Sequence, residues 1–306
     1  MTRVTLANGI ELDVRDEGPV KDNGGNAPVL IFLHGFPESH RTWRHQIAHL
    51  SGRFRCIAPD QRGYRGSSKP QDVASYTPDK LIGDIFLLAD ALGVKDFTVV
   101  GHDWGGAIAW GVALGSQKTS QTRNGRVTRA VIMNAPHPVT FQKLLYLDGG
   151  QRASSQYMRL FRDPAQDALV REHGLAPLLV KAFEGKLGST PEPEETAALL
   201  ADWAVPEAAF GMLNWYRASP MDVPPMDSPR ALPASYAPPP LPPLSIPTLV
   251  IWALDDIALP PANLDGLDAL VTNLTLVKVP GCGHFVPWEA PTAVNAALDD
   301  FLAANG

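Results

Sequence analysis

The sequence predicts an α/β fold: a mostly parallel sheet with helices on both faces, interrupted by a helical insertion. Three observations carry this. Short unbroken apolar runs recur at Val29–Leu33, Phe54–Ala58, Phe97–Val100, Ala130–Met133, Thr248–Trp252 and Leu274–Val279, as expected of strands buried on both faces of a parallel sheet. Helical patterns fall between them, which implies right-handed crossovers and a layered domain. The alternation stops after Met133 and resumes at Thr248, and the residues between read as helical without a convincing strand.

Taken in chain order, Asn8-Gly9 between Arg3–Leu6 and Ile10–Arg15 signals a hairpin. A Gly/Asn-rich loop over 21–26 follows. Pro78–Leu92 is the clearest helix, with Thr77 as N-cap, Pro78 in the first turn and Gly93 as the stop. Ala107–Leu114 and Pro291–Leu302 are further helices. Within the insertion, Pro193–Trp203 and Glu207–Trp215 are helical, and Glu192, Glu194 and Glu195 read as an exposed helix start. Eleven of the 29 prolines lie between Pro220 and Pro247, a semi-rigid return to the sheet. The division is a core of 1–137 and 246–306 with a helical cap over 138–245. No internal repeat is present.

The 306 residues carry 26 Lys+Arg against 32 Asp+Glu, a net charge of −6, with no basic run. This argues against nucleic acid or an anionic membrane as the main partner. No apolar leader opens the chain and no apolar stretch reaches the ~18 residues of a membrane span. Two cysteines, Cys56 and Cys282, exclude a disulfide scaffold and a four-thiolate zinc site. They suit a reducing, cytoplasmic compartment, so the sequon at Asn273 reads as chance. Monomer and homodimer both stay open.

On open α/β sheets the active site lies at the carboxyl ends of the strands. Four polar clusters stand there: His34-Gly35-Phe36-Pro37, Gly101-His102-Asp103-Trp104-Gly105-Gly106, Asp255-Asp256 and Gly281-Cys282-Gly283-His284. The second, between strand and helix, has the spacing of a nucleophile elbow. Its glycines permit the turn and the close helix–strand packing. The central residue, usually Ser, is Asp103. An Asp attacking an acyl carbon would give an anhydride; attacking a saturated carbon it gives an alkyl ester that water can hydrolyse. The substrate is therefore an epoxide or an alkyl halide. A mere helix cap at Asp103 is the bland alternative, and the other three clusters weigh against it.

The order Asp103, Asp256, His284 fits nucleophile, acid and histidine. Neutral His284 would activate water, with a pKa expected around 6–7. The acid is Asp255 or Asp256; spacing from the strand favours Asp256. Backbone N–H groups of Phe36 and Trp104 could form an oxyanion hole for ester hydrolysis. His45 and His49 lack the glutamate of a zinc-protease motif and read as a solvated helix face. His102 and His137 are explained by packing or backbone bonding, and Cys282 by a small loop residue. The glycine spacing is not a dinucleotide fingerprint. No cofactor and no metal are called for.

The motifs His34-Gly35-Phe36-Pro37-Glu38-Ser39, Asp60-Gln61-Arg62-Gly63-Tyr64 and Gly101-His102-Asp103-Trp104-Gly105-Gly106 resemble those of the α/β-hydrolase-fold epoxide hydrolases, from about Val29 to Phe301. The resemblance implies two cap tyrosines that donate hydrogen bonds to the epoxide oxygen. Tyr157, in Tyr157-Met158-Arg159-Leu160-Phe161-Arg162-Asp163-Pro164, and Tyr216, in Asn214-Trp215-Tyr216-Arg217-Ala218, match those motifs. It further implies a cofactor-free hydrolase that takes a small-molecule epoxide and water to a vicinal diol. The chain departs from the family at Ala253-Leu254, where Gly-Glu is frequent, and in its proline-rich return. Two alternatives stand beside this expectation. One is a haloalkane or haloacid dehalogenase with the same nucleophile, against which Phe36 stands where Asn is usual. The other is a non-catalytic binding protein on the same fold.

Overall fold

The computed structural model describes residues 1–20, 27–120, 126–183 and 191–305; the loop expected over 21–26 lies outside them. Eight strands form one sheet: β1 (Thr2–Thr5), β2 (Glu11–Glu17), β3 (Val29–Leu33), β4 (Arg55–Pro59), β5 (Phe97–His102), β6 (Val127–Met133), β7 (Thr248–Ala253) and β8 (Leu274–Val279). Their order is β1-β2-β4-β3-β5-β6-β7-β8. β2 pairs antiparallel with β1 and β4, and every other neighbouring pair is parallel.

Alternate strand residues serve opposite faces, as the pleat requires. Ile31, Leu33, Val99, Ile132 and Val250 pack with α2 (Pro78–Ala91) and α3 (Trp104–Ser120). Leu30, Phe32, Val100, Val131 and Ile251 pack with Ile47 and Leu50 of α1 (Arg44–Leu50), and with Val294, Leu298 and Phe301 of the C-terminal helix (Pro291–Ala304). β8 departs from the expected two-sided burial. Thr275, Leu276 and Lys278 are exposed because β8 is the sheet's edge. Its apolar run mimics an interior strand, and only the strand order tells them apart.

Thr77 holds the N-cap position of α2 but makes no side-chain bond to that helix's N–H groups; its side chain instead hydrogen-bonds Asp79. Pro78 opens the helix, and Gly93, at φ +65°, follows its end.

Between β6 and β7 the described chain is helical: α4 (Pro138–Leu147), α5 (Gly149–Ser154), α6 (Tyr157–Arg162), α7 (Asp167–His173), α8 (Ala176–Phe183), α9 (Pro193–Trp203) and α10 (Pro206–Ala218). Two short helices, α11 (Leu267–Leu270) and α12 (Val286–Glu289), precede α13 (Pro291–Ala304). α10 rests on the core loop carrying Asp60–Tyr64. A Cβ on Gly211 would strike the Gly63 backbone, so two glycines let helix and loop touch directly. The Trp215 indole donates to the Arg62 carbonyl (2.9 Å), and Arg62 itself is buried in a bidentate pair with Asp84 (2.8 and 2.6 Å). The expected exposed start of α9 is corrected at Glu195. It takes a bidentate hydrogen bond from Arg41 (2.7 and 2.8 Å), while Glu192 pairs with Arg44 (2.8 Å). These acids fasten α9 to the core beside α1, a pairing across more than 140 residues that composition cannot reveal. No helix of the described residues is long and apolar enough to cross a membrane.

Candidate active site

Five adjacent parallel strands deliver residues to one edge. Phe36 follows β3, Asp103 β5, Asn134 β6, Asp256 β7 and His284 β8. Asp103 sits at φ +52°, the left-handed conformation of a strained elbow between strand and helix. The turn closes because Gly101 and Gly105 approach backbone so nearly that a Cβ on either would collide with it. Gly35 serves the same end: a Cβ there would overlap the Asp103 side chain. That absence lets the Phe36 N–H reach Asp103 Oδ1 at 2.7 Å. Trp104 opens α3, so its own N–H is a first-turn donor without a helical acceptor. Oδ2, the other carboxylate oxygen, lies 3.6 Å from His284 Nε2.

His284 Nδ1 donates to Asp256 Oδ2 at 2.7 Å. Asp256, not Asp255, is therefore the acid in contact. Its carboxylate is buried and saturated: Oδ1 accepts from the Ala258 and Leu259 N–H groups (2.8 and 3.0 Å), and Oδ2 also accepts from Asn134 Nδ2 (2.7 Å). Burial alone would raise its pKa, but His284 and these donors outweigh it and hold the carboxyl below the usual range. His284 is half-buried. Desolvation pulls its pKa down, yet the flanking Asp256 and Asp103 carboxylates prevail and push it well above the ordinary value. Both neighbouring carboxylates thus favour the imidazolium form.

Two supports escaped the sequence reading. Asn134, at φ +39°, receives the Ala253 N–H on Oδ1 (2.8 Å) and so ties the end of β7 to Asp256. Its signal was available: a polar residue directly after a parallel strand. Glu289 accepts from the Gly283 and Phe285 N–H groups (2.8 and 3.0 Å), pinning the loop on both sides of His284. Nothing local in the sequence marks it. His102 donates from Nε2 to the His284 carbonyl (2.8 Å), and His137 caps α4. Burial first, then the Glu289 charge, push the Cys282 thiol up to about 12, consistent with an inert loop residue. His49 contacts Asp299 (2.7 Å) at the surface.

Tyr157 and Tyr216 descend from α6 and α10 over the carboxylate, their rings 5.9 Å apart. Tyr216 is gripped edge-on by Phe36 (4.9 Å), Phe161 (5.0 Å) and Trp104 (5.1 Å). Arg162 bonds the Tyr216 and Met221 carbonyls (2.9 and 2.7 Å), coupling α6 to α10. Tyr216 is buried and Tyr157 half-buried, and desolvation raises both phenols well above the ordinary value, with the Asp103 charge adding to it. They stay protonated donors. Two cavities meet at Asp103, Tyr157 and Tyr216. One, about 40 Å³, includes His284 and Phe36 in its wall. The other, about 470 Å³, extends along α3.

The profile of the alpha/beta hydrolase fold family matches residues 28–291. The chain belongs to that family. A solved structure described among "novel epoxide hydrolases belonging to the alpha/beta hydrolases superfamily", from metagenomes of hot environments, is 68% identical, with a TM-score of 0.93 over 98% of this chain and 97% of that one. AB hydrolase superfamily protein YfhM of Bacillus subtilis (strain 168) is 31% identical over 96% of this chain and 95% of its own. Epoxide hydrolase 1 of Caenorhabditis elegans is 30% identical over 92% of this chain and 67% of its own.

Proposed function

We propose that the chain is an epoxide hydrolase acting through an alkyl-ester intermediate on Asp103. One observation carries the reading. The Asp103 carboxylate has one oxygen on the Phe36 N–H and the other facing His284, beneath two phenols that line the same cavity. The resemblance to epoxide hydrolases over nearly the whole chain supports it.

Asp103 Oδ2 attacks an epoxide carbon; the ring C–O bond breaks, and its electron pair becomes an alkoxide. Tyr157 and Tyr216 donate hydrogen bonds to that oxygen as its charge develops, and one supplies its proton. Two hydroxyl donors suit an alkoxide, which needs a proton, and a departing halide does not. Esterification removes the Asp103 charge, one of the influences that hold His284 protonated. Its pKa falls, its proton returns to the tyrosinate by way of solvent, and the neutral ring then takes a proton from water. The smaller cavity, in contact with both Asp103 and His284, is close to the ~30 Å³ of one water molecule. Hydroxide adds to Asp103 Cγ, and the charge on Oδ1 meets the Phe36 and Trp104 N–H groups. The Cγ–O bond to the alkyl group then breaks, the departing alkoxide takes the proton held by His284, and the new carboxyl group returns a proton to the imidazole. The diol leaves and Asp103 is regenerated with an oxygen from water. Asp256 holds the His284 ring and stabilises its cation.

We assign the cap role to residues 138–245, the core to 1–137 and 246–306, and the compartment to the cytoplasm, which suits two free, buried cysteines. Conversion of electrophilic epoxides to diols fits a detoxifying role. The deciding experiment is a single turnover of styrene oxide in oxygen-18 water, with peptide mapping. The label is expected in Asp103 and absent from the first diol. Label in the first diol with none in Asp103 would refute the covalent route. Release of bromide from a short bromoalkane at a comparable rate would favour the dehalogenase alternative.

A further inference from the structure

The geometry points to a substrate class: terminal epoxides bearing one long, uncharged hydrocarbon tail, with Gly115 limiting how long that tail can be. This rests on the epoxide-hydrolase reading and narrows it. The larger cavity starts at Asp103 and follows one face of α3, where Trp104, Ala107, Gly111 and Gly115 fall on successive turns. Ile108 and Leu114 of the same helix add apolar wall beside them. A Cβ on Gly111 would meet Ile82, whereas one on Gly115 meets nothing within 4 Å. Gly115 lies eleven residues beyond Trp104, about 17 Å along the helix. A larger side chain at Gly115 would fill space that the glycine leaves open.

The proline-rich return supplies further wall, through Pro220, Met221, Pro239 and Leu241. Prolines suit this place. Their fixed φ resists collapse into the space, and they bring no N–H that would need a partner beside a hydrocarbon. Among the described residues, no charged side chain except Asp103 borders the cavity. A tail ending in carboxylate would lose its hydration there without a counter-ion. At ~30 Å³ per water-sized group, 470 Å³ has room for about sixteen such groups, enough for a twelve-carbon substrate. The smaller cavity, about 40 Å³, leaves no room for a second bulky substituent on the opposite side.

The test compares kcat/KM for 1,2-epoxybutane, 1,2-epoxyoctane, 1,2-epoxydodecane and 7,8-epoxyoctanoate, with styrene oxide as reference, in wild type, Gly115→Ala and Gly115→Leu. In wild type, kcat/KM is expected to rise roughly three- to fourfold per added carbon over the shorter chains and to be highest for the twelve-carbon chain. The carboxylate is expected at least tenfold below 1,2-epoxyoctane. In Gly115→Leu, the dodecane-to-butane ratio is expected to fall at least tenfold, with Gly115→Ala between. Both replacements favour the helix, so an unfolding midpoint no lower than wild type separates slot filling from misfolding. Turnover of styrene oxide and epoxybutane with no gain for longer chains overturns this assignment alone, and so does an unchanged ratio in Gly115→Leu. Absence of turnover with every epoxide overturns the reading of the site as well.

Discussion

The two halves of the site are held by different means. On the core side, Asp103, Asp256 and His284 sit one to five residues past strand ends, and backbone N–H groups and short side-chain bonds aim them. On the cap side, Tyr157 and Tyr216 depend on rings packed against rings, on Arg162 bridging two helices, and on contacts such as Gly63 with Gly211. In the core half each residue is aimed by its own short link to a strand end of one sheet. In the cap half position depends on side chains packed between separate helices. Faults in the core should therefore abolish chemical steps, whereas faults in the cap should grade them.

The largest effect expected is from Asp103→Ala. It removes the nucleophile, so turnover should drop by roughly 10⁴-fold or more, and intact-protein mass spectrometry should find no alkyl adduct. His284→Gln keeps the first step and loses the second. An adduct of substrate mass should accumulate in a burst, with ester hydrolysis slowed by about 10²–10⁴. If instead both variants lost the first step alike, the division of labour within the core half would be wrong.

The cap half should respond more gently. Tyr157→Phe and Tyr216→Phe each remove one of two donors, so each should slow alkylation by about tenfold to a hundredfold, and the double variant by 10³ or more. Rapid-quench measurement of ester formation separates this from hydrolysis. Additive losses would show two independent donors; a double variant no worse than the singles would leave only one of them in contact with the oxygen.

The pH behaviour sharpens the core half further. Burial lowers the His284 pKa, but Asp256 and Asp103 raise it well above 6.5 overall. Its ion-pair contribution to stability is thus complete below about 6.5 and fades as pH rises through the folded value. Asp256, lowered below 3.8, contributes above that value and loses its contribution as pH falls through its own. The Tm difference between wild type and His284→Gln should therefore peak between these limits and shrink on both sides, as read by thermal melts across pH. Catalytically, neutral His284 is needed only after Asp103 is esterified, so the hydrolytic half-reaction should titrate at lower pH than His284 in the free enzyme. NMR of the ring in wild type and Asp103→Ala should show the same downward displacement.

The smallest effect is expected at the fastening of α9. Arg41 and Glu195 are partly exposed, and solvent screens them. Arg41→Ala should cost on the order of 1 kcal/mol or less, seen as a small change in Tm with little change in the alkylation rate.

These differences track what could be read beforehand. Asp103 and His284 were legible because a strand, a glycine-rich turn and a chemically meaningful residue are contiguous. Asp256 was legible by its place after β7, although the neighbouring Asp255 left a choice that only the 2.7 Å contact to His284 resolves. Asn134 obeys the same rule and was passed over; Glu289 follows no local rule. Glu195 was misread because an acidic helix start looks the same whether it faces solvent or Arg41. The two tyrosines came from resemblance, since no periodicity marks one phenol among other aromatic side chains of a helical segment.

By itself the amino-acid sequence determined the alternation of strand and helix, the edge of the sheet where chemistry gathers, and the carboxylate that replaces a hydroxyl at the elbow. Each is a short-range pattern, set by hydrophobic periodicity and by the conformations glycine permits. Tertiary structure alone decided that β8 is an outer strand, that His284 stands between two carboxylates, and that a cavity of about 470 Å³ runs along α3. Burial, charge coupling and empty volume are properties of segments brought together across the chain, and no window of adjacent residues contains them.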